Sequence, residues 1–391
     1  MANGIAADFS MLRGEPPIKY LTKANMLAAQ GRDITRFEIG QPDFDTPDNV
    51  KEAAKKALDE GFTHYVPTMG IPELVEAIQD DIAKSRGFRP DKEQIMVLPG
   101  AKPGIFLGLM TTIAMGYEVI YQNPFYFQYD SLVGYMGAKK VQIPLYEKDE
   151  FRMIPEQIQD NISDKTGLIL LNSPQNPTGG VLSKKDVHAI AEMAEEHDSY
   201  ILSDEIYSKM LYDGEKHYSP SYLDECKERT IIVDGFSKAY SMTGWRLGYM
   251  VAPKEIIHKA DHLFADIGSC TTSFVQKGGV EALKNGQYFV DHIMEHFTRR
   301  REAIVSGLNE VPGMSCIYPK GAFYVFPNIK ETGMKSEELA NYMLDEAGVC
   351  LLPGSAFGSQ GEGYLRLSYA RSVEEIEKGI GKMKEAMAKV L

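Results

Sequence analysis

Residues 231–251, IIVDGFSKAYSMTGWRLGYMV, constrain the fold more than any other stretch of the chain. Ile231, Ile232 and Val233 form a short β-branched run bounded by Asp234-Gly235, the pattern of a buried strand. Leu247 to Val251 reads as a second strand. The connection between them is rich in small and hydroxyl residues, Gly235, Ser237, Ala239, Ser241, Thr243 and Gly244, and it carries Lys238. A lysine on a short loop between two buried strands sits deep, where burial disfavours the ammonium and lowers its pKa. A neutral amine is what condensation with a carbonyl requires. Arg246, a little further on, is a permanent cation suited to grasping phosphate. Taken alone, Lys238 better suits an ordinary surface position, where most lysines lie.

Gly235-x-Ser237-Lys238-x-x-Ser241-Met242-x-Gly244-x-Arg246-Leu247-Gly248 resembles the pyridoxal-phosphate attachment signature of the class I aminotransferases, the fold-type I family. Three further segments match in the family's order, so the resemblance covers nearly the whole chain. It implies a large α/β domain with a mostly parallel seven-stranded sheet and a smaller α/β domain. Periodicity alone says only α/β. The expected division is an N-terminal arm over 1–45 that joins the small domain, a large cofactor domain over 46–285, and a small C-terminal domain over 286–391.

Bulk properties agree with such an enzyme and exclude other classes. A chain of 391 residues is too long for one ordinary core, which predicts two domains. No run approaches the roughly 18 apolar residues of a membrane span. The N-terminus lacks an apolar signal core, and the four cysteines are scattered with no C-x-x-C pair. These features predict a cytoplasmic protein with no metal site. A net charge of −13 makes nucleic acid and anionic membranes unsuitable partners. An acidic protein that holds a phosphate needs local cations, which Lys238 and Arg246 supply.

Taken in order, the remaining segments add one group each. Arg36-Phe-Glu-Ile-Gly40-Gln-Pro42 ends a strand edge, and by chemistry alone it suits a plain turn. The resemblance places Gly40 against the substrate carboxylate. Thr46 or Asp48 is expected to cap the helix that follows. Tyr65 either packs on its own core or, as the resemblance implies, reaches across a dimer interface to the neighbour's cofactor phosphate. Gly100-Ala101-Lys102 lies between the strand Gln94–Leu98 and an apolar helix from Ile105 to Met115, and a glycine turn feeding a helix N-terminus favours phosphate. Two features depart from the family here: no hydroxyl stands at Ala101 or Lys102, and Pro103 removes a donor. Lys102 is instead positioned to meet a distal substrate carboxylate. Tyr126, with Phe125 beside it, is expected to stack on the cofactor ring.

Asn172-Ser-Pro174-Gln-Asn176-Pro177-Thr178-Gly179 is dense in breakers and matches the family's N-P-T-G turn. Asn176 is expected at the cofactor's ring hydroxyl and the substrate carboxylate. Asp204 ends a buried strand, where ligands of open α/β sheets bind. An anion there keeps the cofactor's ring nitrogen protonated. The resemblance adds Tyr207 at the ring hydroxyl and Ser237 at the cofactor, and gives no role to Glu205. Arg299-Arg300-Arg301 reads as a solvated charged face. Arg366 lies mid-strand among apolar residues, an expensive place for a guanidinium without an anion. It suits a bidentate grip on a carboxylate, or an internal salt bridge. The resemblance assigns it the substrate α-carboxylate.

The activity implied is transfer of an amino group from an L-amino acid, with aspartate, alanine and aromatic donors all open, to an oxo acid such as 2-oxoglutarate. The cofactor is pyridoxal 5′-phosphate, the catalytic residue Lys238, and the assembly a homodimer with shared active sites. A carbon–sulfur β-lyase shares these motifs. A ligand-sensing regulator would need a fused DNA-binding segment, and the motif residues begin too early, at Gly40, to leave room for one.

Overall fold

The computed structural model describes residues 16–391, so the first fifteen residues of the expected arm lie outside the described residues. The chain opens with α1 (Pro16–Ala29), β1 (Thr35–Arg36), α2 (Asp48–Asp59), α3 (Pro72–Arg86) and β2 (Ile95–Leu98). It continues through α4 (Ala101–Thr112), β3 (Glu118–Asn123), α5 (Phe127–Tyr135), β4 (Lys139–Pro144), α6 (Pro155–Gln159) and β5 (Thr166–Asn172). Next come α7 (Lys184–Glu196), β6 (Tyr200–Asp204), α8 (Ser221–Asp224), β7 (Thr230–Gly235), β8 (Gly248–Val251) and α9 (Lys254–Gly268). The last part holds α10 (Ser273–Asn285), α11 (Gln287–Leu308), β9 (Tyr324–Val325), α12 (Ser336–Tyr342), β10 (Val349–Cys350), β11 (Leu352–Pro353), β12 (Leu365–Ser368) and α13 (Val373–Met387).

Seven strands form one sheet in the order β2-β8-β7-β6-β5-β3-β4. Only β8 runs against its neighbours, so the sheet is mostly parallel, as the sequence implies. All seven residues of β5 are buried. Strands covered on both faces have no solvated side, which explains their continuous apolar runs. Each fully buried aliphatic side chain there stabilises by about 1.5–3 kcal/mol. Alternation sends Leu202 and Val233 to the side covered by α4, α5 and α9. Ile232, Tyr249 and Val251 face α3 and α10 on the other side. The smaller α/β part carries the antiparallel sheet β11-β12-β9, and it ties in the arm through the parallel pair β1-β10.

Several local expectations are corrected. Neither Thr46 nor Asp48 caps α2; Pro47 precedes it without a side-chain cap. Thr46 instead donates to the Ser241 carbonyl at 2.7 Å and accepts from the Trp245 indole at 2.9 Å. The apolar helix after β2 starts at Ala101, not Ile105. α10 carries little helical signal in the sequence, because Gly278-Gly279 interrupts it. Arg300 and Arg301 are not solvated: they are 5% and 6% exposed. Arg300 grips Asp43 with both nitrogens at 2.6 and 2.8 Å, and Arg301 pairs with Asp213.

Candidate active site

The carboxyl ends of β5, β6 and β7, the first turn of α4 and the chain around Gly40 converge on one cavity of about 360 Å³. Strand polarity explains the location. Parallel strands release their loops at one edge, and α4 points its N-terminus, with its partial positive charge, at that edge. Lys238, on the loop after β7, lines the cavity and keeps part of its exposure there. Its Nζ donates to the Gly40 carbonyl at 2.6 Å. Burial first, then the charges of Arg366, Lys102 and Arg246, lower its pKa to about 8, against a smaller opposing pull from Asp204.

Asp204 enters from the end of β6 and is buried. One carboxylate oxygen accepts from Tyr129 Oη at 2.7 Å, the other from the Ile206 amide at 3.2 Å. Burial raises its pKa to about 6, although the Tyr129 hydrogen bond pulls the other way. Tyr129 was not singled out from sequence. It sits one helical turn after Tyr126 and looks like core, and only the fold brings it to Asp204.

Ala101, Lys102, Tyr126, Asn176, Tyr207, Ser237, Arg246 and Arg366 also line this cavity. The Lys102 ammonium lies 5.8 Å from the Tyr126 ring centre and 6.0 Å from that of Phe127. Phe125 turns away and packs edge-on against Tyr121 at 5.5 Å, so Tyr126 is the aromatic of the pair that faces the cavity. Tyr207 and Tyr324 share a hydroxyl hydrogen bond of 2.8 Å. Arg366 projects from β12, stacked on Tyr324 at 4.7 Å and Phe357 at 5.3 Å. It donates to the Glu38 carbonyl. Among the described residues no carboxylate lies within ion-pair distance of it, so the internal salt bridge does not form.

Gly100 does not line the cavity but stands behind it at φ +96°, and a Cβ there would strike the Arg246 guanidinium. Gly40 is equally committed, since a Cβ would collide with the Tyr324 hydroxyl. Tyr65 is not at the cavity in this chain; it is 87% exposed.

The donor set suits an aromatic aldehyde bearing a phosphate. Four cations, Lys102, Lys238, Arg246 and Arg366, share the cavity with the buried acid Asp204. Asn176 Oδ1 and Arg366 Nε are buried without hydrogen-bond partners, which leaves polar capacity for a bound molecule.

A mostly parallel sheet with a lysine, an acid and a helix N-terminus at its carboxyl edge is the arrangement of an α/β enzyme with its site at the strand ends. Comparison with known proteins specifies the family. Residues 32–383 match the family model for aminotransferase class I and II. An aspartate aminotransferase of Pyrococcus abyssi is 43% identical over 364 residues, 92% of this chain and 93% of that protein. Aromatic-amino-acid aminotransferase 2 of Thermococcus litoralis is also 43% identical, over 92% of this chain and 93% of its own. The crystal structure of Thermus thermophilus aspartate aminotransferase with maleate matches with a TM-score of 0.91 at 35% identity, over 96% of this chain and 97% of that one. The chain belongs to the class I and II aminotransferases, a family that uses pyridoxal phosphate, and its activity is amino-group transfer.

Proposed function

We propose that this chain holds pyridoxal 5′-phosphate in the cavity and moves the amino group of dicarboxylic and aromatic L-amino acids, aspartate among them, to a 2-oxo acid such as 2-oxoglutarate. The observation that carries this reading is the Lys102 ammonium beside the Tyr126 and Phe127 rings. One wall thereby sets an ammonium beside two aromatic faces. The two relatives of equal identity, one named for aspartate and one for aromatic donors, support the same pairing.

The roles are those that the family resemblance implies for these residues. Pyridoxal phosphate, when bound, supplies a carbonyl that captures the donor's amine and a ring that accepts the electron pair of its α-carbon. Ala101, Ser237, Arg246 and the backbone of Lys102 surround the phosphate end, with Gly100 behind Arg246. Asp204 holds a positive charge at the ring nitrogen, with Tyr129 fixing its carboxylate. Asn176 and Tyr207 meet the ring hydroxyl, and Tyr126 covers a ring face. Arg366, Asn176 and Gly40 grip the donor's α-carboxylate. Lys238 Nζ takes the proton from the donor's α-carbon, which suits an amine whose pKa lies near 8. The enzyme acts as a homodimer in which Tyr65 of each subunit completes the other's site.

The test is an absorbance spectrum of protein reconstituted with pyridoxal phosphate, before and after aspartate, alanine or phenylalanine is added without an oxo acid. We expect a visible band that aspartate and phenylalanine convert to a near-ultraviolet one. Lys238→Ala should lose the band and at least about a hundredfold in rate. A band unchanged by Lys238→Ala would sink the reading. Conversion by alanine alone would refute the proposed donors, and net elimination from cystathionine would indicate a lyase.

A further inference from the structure

Behind the sheet lies a buried charge cluster that the chemistry above does not use. Arg86, the last residue of α3, has a side chain only 1% exposed. Its Nε and Nη2 donate to one oxygen of Glu205 at 3.0 and 2.9 Å. The same Nη2 donates to Asp234 at 2.6 Å. Glu205 and Asp234 are themselves 0% and 5% exposed. Both carboxylates have further partners. The Ser203 hydroxyl donates to Glu205 at 2.9 Å, and His217 Nε2 lies 3.0 Å from it. Asp234 accepts from the Gly235 amide at 2.7 Å and from the hydroxyls of Ser208 and Tyr249 at 3.2 and 3.3 Å. Asp81 stands 3.8 Å from Arg86 and pairs with Lys209 at 2.6 Å, closing the cluster at its edge.

The sequence positions of the two carboxylates matter most. Glu205 directly follows Asp204 at the end of β6, and Asp234 lies on β7 a few residues before Lys238. β6 and β7 are adjacent and parallel, with Asp204 opposite Val233. Side chains alternate along a strand. Asp204 and Val233 therefore face the cavity side, while Glu205 and Asp234 face the opposite side together. Two like charges on neighbouring strands repel, and in a buried site the repulsion is large. A guanidinium is planar, permanently charged and able to reach both. Its hydrogen bonds survive only at one separation of the two strand ends, and that separation also sets where Asp204 and the Lys238 loop lie. A buried charge cluster is a costly way to stabilise a sheet, since apolar side chains of equal volume often do as well or better.

We propose that Arg86 is a positioning residue: by bridging Glu205 and Asp234 it sets the spacing of Asp204 and Lys238 from the far side of the sheet. The inference rests on the proposed roles of that pair. Two variants test it. Arg86→Lys keeps the charge but loses the fork that reaches both acids. The triple variant Arg86→Leu/Glu205→Gln/Asp234→Asn removes the bridge with no charge left unpaired, so it should fold even where the single change does not. Each is reconstituted with pyridoxal phosphate beside wild type and assayed well below its melting temperature. We expect kcat to fall about ten- to a hundredfold with KM changed less than about threefold, the pattern of misplaced groups rather than lost binding. We also expect the pH midpoint of the visible band to move, which a loss of stability alone does not produce. A folded triple variant with wild-type kcat and an unmoved midpoint overturns the proposal. A wild-type protein with no visible band would instead refute the roles of Lys238 and Asp204 and would say nothing specific about Arg86.

Discussion

An amine enclosed by protein and faced by three other cations gives up its proton more readily than one in water. Lys238 is in this position, with Arg366, Lys102 and Arg246 around it, and its pKa falls to about 8. The sign follows directly. Below that value the folded protein holds an ammonium that cannot attack a carbonyl; above it the amine is free to do so. Cofactor-free protein should therefore capture pyridoxal phosphate faster as the pH rises through about 8, and the rate should level off above it. Stopped-flow absorbance at the visible band measures this. A rate that keeps rising up to about pH 10, the ordinary lysine value, would show that the surrounding cations do not tune the amine. Asp204 is shifted in the opposite sense. Burial favours its neutral form, and a cation bound beside it would strengthen the anion. A ring bearing a positive nitrogen and a carbonyl would suit the two residues together.

At the scale of elements, the stretch around Gly40 works as a strap over the lysine loop. Gly40 accepts from Lys238, Asp43 is held by Arg300 on α11, and Thr46 is bonded to Ser241 and Trp245. Arg300 is also sandwiched between Phe44 at 4.7 Å and Phe297 at 5.3 Å. Replacing it by methionine strands the Asp43 carboxylate, at a cost of roughly 2–4 kcal/mol. Asp43→Asn in that background should recover part of the loss. A double-mutant cycle on thermal unfolding would show the coupling; additive effects would mean that the pair does not hold the strap. This strap also marks the limit of what the sequence discloses. β5, β6 and β7 are legible because each is an unbroken apolar run, and their end residues Asn172 and Asp204, with Lys238 on the loop after β7, line one cavity, whereas Gly100 and Tyr65 do not. Arg300 was misread because its partner Asp43 lies in a distant part of the chain and local sequence shows only three consecutive arginines. Tyr129 and Arg86 escaped for the same reason: their partners are set by how helices cross the sheet.

Across the whole molecule, charge and exposure are distributed unevenly. Acidic residues outnumber basic ones by 55 to 42, yet four cations line the cavity, so an anionic substrate is drawn to it against the general field. Tyr65 stands apart, 87% exposed, beside His64, Cys270 and Phe274 at a second hollow. A large aromatic ring held that far out gains little within one chain, and burial against a second copy would supply what it lacks. In a twofold dimer each surface is used twice, so each site would take its Tyr65 from the partner. This makes a strict prediction for mixed subunits. Lys238→Ala protein lacks the cavity lysine but has a normal Tyr65; Tyr65→Ala protein has the reverse defect. Each alone should be weak or inactive. Unfolded and refolded together in equal amounts, they should recover about a quarter of the wild-type rate, because half of the dimers are hybrids and each hybrid contains one complete site of two. Activity no greater than the average of the two parents would mean that Tyr65 serves its own chain, and the site would then have to be completed by residues of one subunit alone.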